Sequence, residues 1–338
     1  MGVPWQSALG AVFISGCLFV IVSLFRVREQ IINGIPHSLR VAITVGLGLF
    51  LALIAMKSAG LVVANPETLV RVGDMHNPHT IMAVFGFLLI VTLDRLQVPG
   101  ALLIGIVSVT VLSFFFGGNT FHGFMSLPPS ISPTLFHFDL QGALNMGLLN
   151  VVLVFFLVEL FDATGTLMGV ASRAGLLVGG RMERLNKALL ADSCAIVAGS
   201  MLGTSSTTAY LESAAGVQAG GRTGLTAVVV AVLFLAALFF APIAGVVPAY
   251  ATAPALLFVA CLMLRDFIDI DWSDTTESVP AAITALVIPF TYSIAHGIAF
   301  GFITYAGLKL LTGQARKVKP VVWIIAIVFL IKYTYIAA

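Results

Sequence analysis

Two acids interrupt an otherwise apolar stretch, FFLVELFDATGTL, running from Phe155 to Leu167 inside the apolar run 145–171. Glu159 and Asp162 stand three residues apart, so on a helix they share one face, with Thr166 one turn beyond Asp162. A carboxyl group at the centre of a membrane helix costs at least about 2.5 kcal/mol to insert, so such residues mark substrate or proton paths by default. The alternative is a structural pair satisfied by neighbouring hydroxyls or a buried base. No Lys or Arg lies at comparable depth in another apolar run, which disfavours that alternative.

A second constellation is GTSSTTAYLESAAGVQAGGRTGLTA, Gly203 to Ala227. It carries a hydroxyl run from Thr204 to Thr208, including Ser206 and Thr207, then Tyr210 and Glu212, then Gly216, Gly220 and Gly221. It is too polar and glycine-rich to span lipid as an ordinary helix, yet too poor in charge for an aqueous loop. The spacing predicts an extended stretch followed by a short half-helix within 204–221. Broken helices of this kind place backbone groups and a helix end at the bilayer midplane, where small solutes are held. Irregular backbone at that depth needs polar company, which the hydroxyl run supplies.

Other chemistry-bearing residues are less organised. His76, His79, His122 and His137 fall in connecting segments without metal-ligand spacing, and no metal site is expected. His296 sits between two apolar runs and reads as a helix-end contact. Asp266, Asp269, Asp271, Asp274 and Glu277 read as a solvated acidic loop. Cys17, Cys194 and Cys261 lie in apolar runs with no CxxC pair, so neither a disulfide frame nor zinc is indicated. No Walker lysine motif supports an ATP-driven pump.

The elements that must position these groups follow from composition. Of 338 residues, 59% are hydrophobic and only 9% are Asp, Glu, Lys or Arg. Soluble domains carry about a quarter charged residues, so most of this surface must face a lipid bilayer. A net charge of +2 gives no reason to expect nucleic acid as a partner. Apolar runs near 7–25, 38–57, 80–93, 98–117, 145–171, 186–203, 223–247, 252–265, 278–294, 295–312 and 320–336 approach the roughly 20 residues a helix needs to cross. Pro289 should interrupt the run 278–294. Continuous rather than alternating apolarity excludes a lipid-facing β-barrel. Lys and Arg recur in alternate connections, around Arg26, Arg95, Arg173 to Lys187, Arg222 and Arg316 to Lys319. The segments 118–143 and 246–252 have none. The basic connections are therefore cytoplasmic. The expected class is an all-α polytopic membrane protein.

VELFDATGTLMGVASRAGLL, RLNKALLADS, MLGTSSTTAYLESAAGVQAGGRTGLTA and APALLFVACLMLRDFIDIDW together resemble the AzgA-like branch of the nucleobase:cation symporter-2 family, the adenine permeases in particular. The similarity runs over essentially the whole chain. It implies an inverted-repeat transporter of fourteen helices, divided into core and gate, working in the bacterial cytoplasmic (inner) membrane. It implies a purine base and a proton as substrates, the proton-motive force in place of any cofactor, and a homodimer. The family's acidic positions on its eighth helix match Glu159 and Asp162, and its glutamate on the half-helical tenth matches Glu212. Tyr210, Thr166, Ser206 and Thr207 are supporting positions. By the same resemblance 1–30 is a core-domain helix, 31–120 gate helices and 121–143 an external loop. Residues 144–250 are core and 251–338 gate helices with a C-terminal segment. Family members carry about three helices before the position matching Met1, so the N-terminal helices, including the opposing half-helix, are expected to be missing from this chain.

A carboxyl group suits a base of this kind because it accepts from N–H when ionised and donates when protonated. Within the family, guanine or hypoxanthine is the alternative substrate to adenine. An anion transporter or channel of the same architecture, and an intramembrane hydrolase using Glu159 and Asp162, are the readings from other classes.

Overall fold

The computed structural model describes residues 4–25, 34–118, 123–145, 184–210, 213–218, 220–331 and 333–334, together with 159–160, 163, 166–167, 170–171, 174–178 and 181–182. Nearly all ordered elements are helical, as chains of apolar side chains in lipid require. A helix satisfies its own backbone polar groups and the bilayer offers none. The helices are α1 (Trp5–Leu24), α2 (His37–Ser58), α3 (Pro78–Arg95), α4 (Ala101–Phe116), α5 (Leu140–Asn145), α6 (Leu185–Leu202), α7 (Ser213–Gln218), α8 (Gly224–Ala237), α9 (Ala241–Val246), α10 (Ala249–Met263), α11 (Thr275–Thr291), α12 (Ile294–Leu311) and α13 (Pro320–Ile331). Among the described residues, 6 helical segments are long and apolar enough to cross a membrane, and α4, α12 and α13 are shorter apolar helices.

Two short antiparallel hairpins lie in the connections: β1 (Val62–Asn65) with β2 (Leu69–Val72), and β3 (Leu177–Val178) with β4 (Arg181–Met182). Neither crosses the bilayer. The Asn65 side chain closes the first by accepting from the Glu67 amide at 2.8 Å.

Packing divides into two groups. In one, α1 lies along α6 and touches α5. Val12 and Phe19 of α1 meet Leu185, Leu189 and Ile196 of α6 around the buried Leu160. Gly16 makes this approach feasible: a Cβ there would lie 3.0 Å from methyl groups of Ile196 and Val197. Gly16→Val is therefore expected to cost about 1–3 kcal/mol by overpacking, read as a lower melting temperature of the purified protein in detergent.

In the other group, α2 packs on α10, α11 and α12, while α3 and α4 pair and rest on α10. Ile35, Leu39, Ile298, Phe302, Val322 and Phe329 form its largest apolar centre. Pro289 does not interrupt this part as the sequence suggests. α11 runs through it to Thr291 and ends at Tyr292, whose φ of 54° turns the chain into α12. Proline at 289 removes the single bond to the Ala285 carbonyl, and the helix continues for two residues before it ends.

The end of that group that carries residues 264–277 also corrects the acidic-loop reading. Asp271 and Asp274 stay at the surface, each held below the usual carboxylate range, by the Ser273 hydroxyl and the Thr276 hydroxyl respectively. Glu277, in contrast, is drawn into the helix bundle. It accepts from Lys309 Nζ at 2.8 Å, Ser38 Oγ at 2.5 Å and the Tyr305 hydroxyl at 3.0 Å. Lys309 is 4% exposed and also reaches Thr276 Oγ1 at 2.5 Å. A single polar knot thus ties α2, α11 and α12 together.

Candidate functional site

Of the residues singled out by chemistry, Glu159 and Thr166 lie on the helical segment that meets the α1–α6 group, and Thr207 lies against α6. Residues 159, 160, 163, 166, 167, 170 and 171 are helical and follow the i, i+4, i+7 spacing of one helix face. Glu159 is 6% exposed and Thr166 is 7% exposed, with Ala163 fully buried between them. Their neighbour Leu160 sits against Val12, Phe19 and Ile196. A carboxyl group and a hydroxyl two turns apart therefore share a face turned away from solvent and lipid. Asp162 lies outside the described residues, as does Glu212.

α6 ends at Gly203 in the left-handed conformation, φ 90°. Only glycine takes that turn without strain. From Thr204 to Tyr210 the chain is not helical, and α7 then supplies six helical residues. Among the described residues, a non-helical stretch is thus followed by a short helix within the segment 204–221. It doubles back on α6: the Thr204 amide donates to the Gly199 carbonyl at 3.0 Å, and a Cβ at Gly199 would stand 2.6 Å from Thr207 Oγ1. Ser206 is half-buried, Thr207 is exposed and Tyr210 is 68% exposed. Tyr210 therefore does not share the enclosed surroundings of Glu159.

Two further hydroxyls belong with these groups, one outside the constellations of the sequence and one at the end of the hydroxyl run. Ser15 Oγ on α1 and Thr208 Oγ1 on the extended stretch are buried, with no hydrogen-bond partner among the described residues. Ser15 lies between Val12 and Phe19 in spacing, on the face that meets Leu160. A serine in an apolar helix can bond back to its own turn, so sequence offers no sign that this one does not. Groups of His, Cys, Asp and Glu able to hold a metal are absent among the described residues. His296 keeps to a helix end: its amide donates to Ser293 Oγ at 3.3 Å and its Nδ1 pairs with the Tyr333 hydroxyl at 2.7 Å.

An enclosed carboxyl in a bundle of apolar helices that also carries a broken helix is suited to holding a small polar solute during passage. Comparison with known proteins agrees. The Permease family pattern matches residues 2–300. The chain is 46% identical to the adenine permease AdeP of Escherichia coli, over 100% of this chain and 76% of that protein. This chain belongs to the nucleobase:cation symporter-2 family. A permease of Methanocaldococcus jannaschii is 48% identical over 99% of this chain and 77% of its own length. The guanine/hypoxanthine permease PbuO of Bacillus subtilis is 43% identical over 98% and 78%.

Among solved structures, the transmembrane domain of the cyanobacterial bicarbonate transporter BicA superposes with a TM-score of 0.61. It covers 88% of this chain and 76% of that one, at 17% identity. At that identity the likeness speaks for fold alone, the inverted-repeat core and gate arrangement. This permease is thus a multi-pass membrane transporter of nucleobases and not an enzyme, and the hydrolase reading of its acid pair falls away.

Proposed function

We propose that this permease takes up adenine together with a proton. Glu159 and Asp162 on one helix and Glu212 beside the half-helix handle base and proton. The observation that carries the proposal is the burial of Glu159 in the α1–α6 group. Adenine is uncharged at neutral pH and presents donors and acceptors along one edge. A carboxyl group sheltered from water can meet such an edge in either protonation state. In the proposed cycle, base and proton enter together from outside, the proton neutralises one of the acids, and the helices that hold them can then move as a body. Burying an uncompensated charge during that movement would be costly, which couples the two passengers. The homodimer and the proton-motive force as sole energy source belong to the same proposal.

Adenine is favoured because AdeP and AdeQ of Escherichia coli, both adenine permeases, are each 46% identical to this chain. The second reading, guanine or hypoxanthine, has the 43% identity to PbuO behind it. Uptake of radiolabelled adenine in cells lacking their own purine permeases separates the two. Unlabelled adenine should compete at the lowest concentration, with guanine and hypoxanthine weaker. Equal or stronger competition by hypoxanthine would transfer the assignment to the second reading.

A further inference from the structure

The connection 123–139 does not extend freely into water. It is bound at three places to the ends of crossing helices. The Asp139 amide donates to the Gln6 carbonyl of α1 at 3.0 Å, and Ser7 Oγ bonds the Asp139 carboxylate at 3.2 Å. The Phe136 amide donates to the Met201 carbonyl of α6 at 2.9 Å, and Thr134 Oγ1 to that of Leu202 at 3.2 Å. The third attachment is deeper: the Ser126 amide donates to the Phe239 carbonyl at 3.0 Å.

That third bond has a local cause. Leu238–Phe240 is a 3-10 turn between α8 and α9, and Pro242 follows it. A 3-10 carbonyl accepts from the N–H three residues on. Proline has none, so the Phe239 carbonyl is left open and Ser126 satisfies it. Phe239 lies fifteen residues beyond Gly224, about 22 Å along a crossing at about 1.5 Å per residue. The hydrocarbon layer is about 30 Å thick. The connection therefore descends to the outer edge of that layer instead of stopping above it. The side of the membrane is the outer one, since 118–143 carries no Lys or Arg.

Its composition fits that depth. From Gly118 to Phe138 there is no Asp, Glu, Lys or Arg. Phe124, Met125, Leu127 and Ile131 are exposed, Leu127 at 86%. Pro128, Pro129 and Pro133 reduce the number of amide donors that would need water. The amides of Thr134 and Leu135 are satisfied locally by the Ile131 carbonyl. α8, to whose end the connection is attached, has no buried residue and is apolar on all sides, which makes it a lipid-facing surface.

We propose that residues 124–136 form a strap seated in the outer-leaflet interface of the bilayer, with Phe124, Met125, Leu127 and Ile131 in contact with lipid. Apolar side chains buried a few ångströms into the headgroup and acyl boundary would hold it there. It would in turn fix the outer ends of α1 and α6 relative to the membrane.

Nitroxide labels test this in the full chain reconstituted in phosphatidylcholine and phosphatidylglycerol vesicles. Leu127→Cys and Ile131→Cys are made with Cys17, Cys194 and Cys261 replaced by Ser, and Glu67→Cys at the exposed hairpin turn serves as aqueous reference. At 127 and 131, collision with oxygen, which concentrates in lipid, should exceed collision with a water-soluble nickel chelate several-fold, with the reverse at 67. Chelate collision at 127 and 131 equal to that at 67 would overturn the proposal. So would low collision with both reagents, or spin coupling between labels on two copies, because either would mean that protein covers the strap. Either label position alone suffices if the other variant fails to fold.

Discussion

Glu159→Gln is expected to lower the initial rate of adenine uptake about 10- to 100-fold and to abolish accumulation against a gradient. The magnitude follows from losing a hydrogen bond to a charged group, worth about 1.5–3 kcal/mol, at about 1.4 kcal/mol per factor of ten. Gln keeps the shape of Glu and can still donate and accept, but it can neither ionise nor deliver a proton. Binding and coupling should therefore separate: adenine exchange across the membrane survives in part while concentrative uptake is lost. Glu159→Asp, which keeps the acid and shortens its reach, should retain some accumulation. Radiolabelled adenine accumulation measured with and without a protonophore distinguishes these outcomes. An unchanged accumulation ratio in the Gln variant would remove Glu159 from the coupling step.

The second large effect lies away from the site. Lys309→Met is expected to destabilise the permease by about 3 kcal/mol, seen as a fall of several degrees in melting temperature in detergent. Glu277 would keep its bonds from Ser38 and Tyr305 but lose its counter-charge at 2.8 Å. Removing one partner of a largely buried pair leaves a charge that two hydroxyls and partial exposure compensate only in part. Replacing both partners, Lys309→Met with Glu277→Leu, should recover more than half of the loss, because the one carboxylate partner of Lys309 that then remains, Asp274 at 3.7 Å, is at the surface and hydrated. Strictly additive losses would show that the two side chains act independently. The knot joins α2, α11 and α12, so its loosening should also slow uptake through the bundle's rigidity, with little change in the adenine concentration for half-maximal rate.

The sequence made the helical class plain because lipid leaves so few ways to satisfy backbone groups. Runs such as 7–25, 38–57 and 186–203 reappear as α1, α2 and α6 within a residue or two at most ends. The break after Gly203 was equally legible, since hydroxyl and glycine residues at that density fit neither an apolar helix nor a charged loop. Pro289 misled because one proline removes a single backbone bond and crowds a single carbonyl, which a helix packed on its neighbours can tolerate.

The polar knot was harder to read, yet a signal existed. Glu277 and Lys309 are each sixteen residues from Ser293, the N-cap of α12. Any tight antiparallel hairpin about that turn brings them side by side. Reading the acids as one solvated run hid this, because Asp274 and Glu277 differ in burial rather than in type. Ser15 and Thr208 illustrate a different limit. The burial of Ser15 depends on which face of α1 meets α6, which an apolar helix with little amphipathicity does not announce, and that of Thr208 on how the chain folds back after Gly203.

In the proposed cycle a sheltered carboxyl couples base to proton. That coupling is tested most directly in proteoliposomes containing the purified permease, with adenine added outside and external pH followed in the absence of any imposed gradient. External alkalinisation that accompanies adenine entry, and disappears in Glu159→Gln, is the predicted result. Adenine entry through the unaltered permease without proton movement would contradict the account.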